Sequence, residues 1–151
     1  MFSICIDIFL HSSHKYFLLK KNLIMSNSTT TPQKPSLYER LGGEQRIRKI
    51  VNDILDKNYN NPQIGHYFRN VDMNKLKQLV FEFFSMGIGG PHQYTGRDMR
   101  TSHANLGISE KDFALANDDT SKALKENGVN KAEIDEVIGI LDSMKGDVVT
   151  K

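Results

Sequence analysis

The sequence predicts an all-α fold, and three observations carry that prediction. Apolar residues recur at helical spacing in successive segments, helix-start and helix-stop signatures bracket those segments, and no run of alternating residues reads as a strand. At 151 residues the chain has the length of one domain with one core.

Each element has its own local reason. Ser36-Leu37-Tyr38-Glu39 is a capping box: the hydroxyl accepts from a backbone N–H while the carboxylate reaches back. The folded domain is therefore expected to begin at Ser36, with Gly42-Gly43 ending its short first helix. From about Glu44 to Asn58, residues Ile47, Ile50, Val51, Ile54 and Leu55 share one helical face, and Asn60-Asn61-Pro62 breaks the run. The stretch from Pro62 to Asn70 is irregular or a single turn, carrying Tyr67 and Phe68.

Asp72 is a suitable N-cap for a third helix, whose face is marked by Met73, Leu76, Leu79, Val80, Phe83 and Phe84. That helix ends between Gly87 and Pro91. A glycine-bounded region follows, with His103 on a very short helical segment. Ser109-Glu110-Lys111-Asp112 opens a fourth helix that passes Phe113, Leu115, Ala116 and Leu124 before Gly128. Asn130 caps a fifth, with Ile134, Val137, Ile138, Leu141 and Met144 on one face.

Composition removes several function classes. Apolar residues make up 38% and charged residues 25%, with a net charge of +2 spread over both signs, so neither nucleic acid nor an anionic membrane is expected as a partner. Cys5 is the only cysteine, which leaves no disulfide framework and no thiolate cluster. A reducing compartment, the cytoplasm, is the simpler expectation.

The first residues are apolar in patches, but Asp7, His11, His14 and Lys15 interrupt them well short of the ~20 residues of a membrane helix. They also lack the order of features of a secretory signal, and they support a mitochondrial presequence only weakly. Met25, followed by Ser-Asn-Ser-Thr-Thr-Thr-Pro, reads as a second start. Residues 1–35 are accordingly expected to be a disordered or dispensable extension, and residues 36–151 the domain.

No Gly-rich phosphate loop, nucleophile elbow or His-Glu-x-x-His element occurs, so no catalytic side chain is assigned. His11 and His14 have the spacing of a metal pair but no carboxylate or cysteine beside them. His66 and His92 are weaker candidates still. His103 is different: a lone imidazole on a short helix between glycine breaks, in a helical protein, suits a haem iron. The plain alternative is an ordinary surface or core histidine.

From Ser36 to about Val149 the chain resembles the truncated haemoglobins of group I, the short two-over-two globins. The resemblance rests on Leu37-Tyr38-Glu39-Arg40-Leu41-Gly42-Gly43 at the opening, Tyr67-Phe68 followed by Val71-Asp72-Met73, Gly89-Gly90, Tyr94-Thr95-Gly96-Arg97 with His103, and Gly107 just past the histidine. The absence of tryptophan agrees with group I. The resemblance implies a two-over-two helical sandwich holding one haem b per chain, with His103 as iron ligand. It further implies that Phe68 lies on the porphyrin face, that Tyr94, Met99, Ile108 and Phe113 line the proximal side and edge, and that a carbonyl near Met99 orients the imidazole. Lys75, Arg97 and Arg100 are candidates for pairing with the propionates.

On the distal side the chain departs from the family pattern. Where group I proteins place a tyrosine and a glutamine or other polar group, this chain has Leu55, Leu76 and Val80. Leu79 stands where some relatives carry a histidine or lysine able to become a sixth ligand. The expected ligand pocket is Leu55, Leu76, Val80 and Phe84, with Leu76, Leu79 and Val80 also against the haem. Phe83 and Phe84 lie a turn further on, and at least one of them is expected in the core.

Bound dioxygen carries partial negative charge, and a donor to such a group is worth roughly 1.5–3 kcal/mol. A pocket without one should release oxygen about 10–100-fold faster and favour carbon monoxide. The function expected is reversible binding of O2, CO or NO by a monomer, with oxygen transport among its readings. The alternatives are an enzyme that dioxygenates nitric oxide with a reductase as partner, and a haem-free globin-like interaction module. Gln78 and Lys77 flank the distal face, so a shift of register there would change its chemistry.

Overall fold

The computed structural model describes residues 34–151, and within them the chain is helical without strands. The extension expected at residues 1–35, with Cys5, His11 and His14, lies outside the described residues except for Lys34 and Pro35. In chain order the elements are α1 (Leu37–Arg40), α2 (Gly43–Asn60), a 3-10 turn (Gly65–Phe68), α3 (Met73–Gly87), α4 (Met99–His103), α5 (Glu110–Glu126), α6 (Lys131–Ser143) and α7 (Lys145–Val148).

The starts of α1, α3, α4, α5 and α6 are set by the side chains that precede them. Ser36 and Glu39 form the capping box of α1, and Ser109 with Asp112 forms that of α5. The Asp72 carboxylate accepts from the amides of Asn74 and Lys75, and the Asn130 side chain accepts from Glu133 N. Each satisfies amides that the first helical turn leaves without partners. Two boundaries differ from the expected ones: α2 begins one residue earlier, at Gly43, and runs on to Asn60, where the Asn60 side chain donates to Asp56 O at 2.8 Å. The four-residue α7 has no counterpart in the expected elements.

α2 is the centre of the packing. Its stripe of Ile47, Ile50, Val51, Ile54 and Leu55 is buried, and the helix packs on α3 on one side and α5 on the other. α5 in turn packs on α6, which gives the two-over-two arrangement. Phe81, Phe84 and Ile88 meet the α2 stripe from α3 and its end, Ala123 and Leu124 from α5, and Val137 from α6. Burying side chains of this size contributes about 1.5–3 kcal/mol each. A bidentate pair from Arg40 to Glu136, at 2.6 and 2.8 Å, ties α1 to α6.

α4 stands apart from this core. It packs on α7, and Arg100 is bound to Asp147 through Nε at 3.0 Å and Nη2 at 2.7 Å. Among the described residues no helix is long and apolar enough to cross a membrane.

Candidate functional site

The five residues of α4 owe their helix to Asp98, whose carboxylate accepts from Thr101 N at 2.8 Å and Thr101 Oγ1 at 2.7 Å. That places His103 in the last turn with Nδ1 2.7 Å from the Met99 carbonyl oxygen. A carbonyl can only accept, so Nδ1 donates the proton, and Nε2 is the nitrogen left to act as a metal ligand. No hydrogen bond to Nε2 is found among the described residues. An oriented imidazole with one nitrogen tied to a carbonyl and the other open is the donor arrangement of a metal-binding histidine.

The loop before α4 is pinned to α3. The Tyr94 hydroxyl donates to Arg97 O at 2.7 Å, and its ring meets Phe83 edge-on at 5.2 Å. Glu82 accepts from both the amide and the hydroxyl of Thr95. Burial pushes the Tyr94 hydroxyl above its ordinary range, against the opposing pull of Arg97, so it remains a donor.

The other described histidines are occupied differently. His92 lies 2.8 Å from the fully buried Ser85 Oγ, 3.5 Å from Glu44, and edge-on to Phe81. His66 is exposed and lies over Tyr67 with ring centroids 4.0 Å apart.

The apolar residues expected around a haem divide into two groups. Phe68, Leu76, Leu79, Val80, Tyr94 and Met99 are half-buried, as is His103. Phe68, Leu76 and Val80 pack on the edge of the core. Leu55 and Phe84 belong to the core itself, whereas Ile108 and Phe113 are buried outside that cluster. Of the adjacent phenylalanines, Phe84 is thus in the core and Phe83 reaches the loop at Tyr94.

The polar residues flanking the Leu76–Leu79–Val80 row are engaged by other side chains. Gln78 accepts from Arg48 at 2.9 Å and donates to Glu82 at 2.8 Å, while Lys77 pairs with Asp56 at 2.7 Å. Arg48 itself sits over the Phe81 ring at 3.7 Å. Arg100 is engaged with Asp147, and Lys75 and Arg97 are exposed.

One residue was not anticipated. Asn58, one turn beyond Leu55 on the same face of α2, is buried at 7% exposure, and its Oδ1 has no hydrogen-bond partner among the described residues. Its place in the stripe, three residues after Leu55 and four after Ile54, was the available signal.

These residues fit a flat apolar group with a metal at its centre. The imidazole nitrogen is oriented and open, and Phe68 on the 3-10 turn, Leu76, Leu79 and Val80 on α3, Tyr94 on the loop and Met99 on α4 offer half-buried apolar or aromatic side chains. Among the described residues no group of three or more His, Cys, Asp or Glu is arranged to hold a metal ion by itself.

Residues 36–150 match the bacterial-like globin family. The chain is similar to the group 1 truncated haemoglobin GlbN of Mycolicibacterium paratuberculosis, with 30% identity over 115 residues covering 76% of this chain and 85% of that protein. It is 28% identical to the group 1 truncated haemoglobin of Tetrahymena pyriformis over 116 residues, covering 77% and 96% of the two chains. The crystal structure of the truncated haemoglobin from Tetrahymena pyriformis, in its Fe(III) form, superposes with a TM-score of 0.75 at 28% identity, covering 78% of this chain and all of that one. The two-over-two haemoglobin from a Synechococcus species, solved in the cyanomet state with covalently attached haem, gives 0.72 at 30% identity, covering 78% and 100%.

Proposed function

Since this chain belongs to the bacterial-like globin family, and within it to the group 1 truncated haemoglobins, we propose that it holds one haem b through His103 and binds a diatomic gas reversibly in a pocket walled by hydrocarbon. The observation that carries this reading is the His103 ring: Nδ1 is held by the Met99 carbonyl at 2.7 Å, and Nε2 has no partner among the described residues. The haem supplies an iron coordination site for O2, CO or NO.

The chain's own residues then do the rest. His103 binds through Nε2, and its hydrogen bond to Met99 fixes the ring plane and raises the basicity of the ligating nitrogen. Phe68 would pack against a face of the porphyrin, where an aromatic ring packs well. Tyr94, Met99, Ile108 and Phe113 line the proximal side and edge, while Leu76, Leu79 and Val80 close the distal side.

Gas selectivity follows from what those distal side chains lack. Leu55, Leu76 and Val80 have no donor to offer a polarised ligand, and the nearby Gln78 and Lys77 are turned to Arg48, Glu82 and Asp56. A polarised ligand such as dioxygen would find no donor from these side chains and would forgo roughly 1.5–3 kcal/mol of hydrogen-bond stabilisation. Carbon monoxide is barely polarised and loses little. The pocket is therefore one of weak oxygen retention and relative preference for carbon monoxide, which favours gas binding or sensing over oxygen-dependent turnover of nitric oxide. Leu55, Leu76, Leu79 and Val80 carry no nitrogen donor, so none of them could serve as a second ligand to a haem iron held by His103. The reading is of a cytoplasmic monomer, with a reductase as partner only where turnover occurs.

The test is an absorption spectrum of the purified chain in ferric and ferrous forms. A Soret band that is lost in His103→Ala is the expected result. A colourless protein that does not take up added haem would overturn the reading in favour of a haem-free module.

A further inference from the structure

We propose that Tyr67 is a positioning residue for the haem: its hydroxyl latches the turn that carries Phe68 to the segment that follows His103, and so governs how long the haem is retained. This rests on the haem-binding reading above and adds a role for a residue outside the set assigned there.

The two ends of the latch belong to different parts of the chain. Tyr67 lies on the 3-10 turn beside Phe68, and that turn is docked on α2. Its hydroxyl oxygen lies 3.0 Å from Asp112 Oδ2 and 3.3 Å from the Gly107 carbonyl oxygen, 40 residues away in sequence. One proton serves both acceptors, with the carboxylate the closer and stronger of the two.

The receiving segment is itself rigid. Leu106 N donates to His103 O at 3.1 Å, and Gly107 then takes φ +64°, a left-handed conformation that glycine adopts without steric cost. Asp112 Oδ2 also accepts from Ser109 N at 3.0 Å and Ser109 Oγ at 2.7 Å, so three donors converge on one oxygen. Behind it, Ile108 exchanges hydrogen bonds with Thr150 through both its amide and its carbonyl. The segment after His103 is thus held to the C-terminal residues on one side and to Tyr67 on the other.

The consequence is mechanical. On the haem-binding reading Phe68 and His103 belong to two walls of the site, and the Tyr67 hydroxyl is a direct polar tie from the Phe68 turn to the residues following His103. Removing it lets the two walls separate without disturbing the α2-centred core, so haem escape should quicken more than global unfolding does. Burial, then the Asp112 carboxylate, push the tyrosine above its ordinary range, which keeps the donor protonated through neutral pH.

The experiment compares the haem-loaded full chain with Tyr67→Phe, Asp112→Asn and the double variant. Loss of ferric haem to an excess of a haem-scavenging globin is the principal readout. Amide hydrogen exchange over residues 104–112 is the second, and it does not depend on ligand binding. Arg40→Ala, which breaks the pairs to Glu133 and Glu136, controls for global destabilisation.

Tyr67→Phe is expected to lose haem about tenfold faster, as for a lost hydrogen bond to a charged group. Asp112→Asn keeps an acceptor for both Tyr67 and the Ser109 cap and should fall between wild type and Tyr67→Phe, and the double variant should show less than the sum of the two single effects. Exchange over 104–112 should rise in Tyr67→Phe and not in Arg40→Ala. Wild-type haem retention and exchange in both single variants overturn the latch while leaving the haem reading intact. A wild-type chain with no Soret band overturns both. Should Tyr67→Phe fail to fold, Asp112→Asn decides by the same two measurements.

Discussion

The ring of Tyr94 fills the space that a side chain on Gly96 would need, because a Cβ built there collides with the tyrosine's Oη, Cζ and Cε2. The same hydroxyl is bonded to Arg97 O, and the ring rests on Phe83. Gly96→Ala therefore displaces Tyr94 and loosens the loop that leads into α4. A loss of about 1–3 kcal/mol is expected from overpacking at a closed contact. Gly139→Ala is the counterpart: a Cβ there meets nothing within 4 Å, and α6 should gain about 0.5–1 kcal/mol. Thermal or urea unfolding reads both, and equal effects at the two glycines would contradict the assignment.

The histidines should separate by spectrum. His103→Ala is expected to abolish or greatly weaken the Soret band. His92→Ala should keep the band and lower stability by about 1 kcal/mol, since it loses its contact with Ser85. A chain that loses its haem with His92 and keeps it without His103 would reverse the roles.

On the proposed haem-binding reading, a donor introduced at the Leu76–Val80 row should act on oxygen selectively. Leu76→Gln, at a half-buried position on α3, is expected to slow oxygen release by about 10–100-fold. Carbon monoxide release should move far less. Stopped-flow and flash photolysis measure the two, and parallel changes for both gases would show that the substitution altered access rather than hydrogen bonding.

Asn58→Leu should stabilise the fold. Its buried Oδ1 has no partner among the described residues, and replacing an unsatisfied carbonyl oxygen with hydrocarbon of similar size recovers about 1–3 kcal/mol. Denaturant unfolding with an unchanged slope would report it; a loss of stability would mean that the amide has a partner in solution.

Alkaline titration should find two late tyrosines. Burial raises both Tyr67 and Tyr94 above the ordinary range, Asp112 adding to the effect at Tyr67. A group whose folded value is raised contributes its stability in full below the unfolded value, about 10 for tyrosine, and loses it as pH rises through the folded value. Phenolate absorbance should therefore show a late component that shrinks in Tyr67→Phe and again in Tyr94→Phe. Both variants titrating like wild type would count against the burial.

Much of the fold could be read from the residues in order, because its causes are local. Ser36 with Glu39, Asp72, Ser109 with Asp112 and Asn130 all cap where their chemistry suggested. The buried stripe of α2 follows its helical spacing from Ile47 to Leu55. The exceptions are also local in origin: α7 contains Lys145, Gly146 and Asp147, too few apolar positions to make a period, and α2 runs on through exposed Tyr59 and Asn60, where periodicity is silent. The Met99 carbonyl as partner of His103 was legible for the same reason, since one helical turn separates the two.

What the amino-acid order determined by itself was the set of helices, their apolar faces and a single histidine on a short capped helix. Interactions within about four residues specify all of these. The tertiary structure decided which side chains engage the polar groups flanking the apolar row on α3, and what holds the segment behind His103. Gln78 is claimed by Arg48 from α2, and Tyr67 by Gly107 and Asp112 from beyond α4. Those pairings join residues 30 to 45 positions apart, and they exist only because α2 brings α3 and α5 together on its two sides.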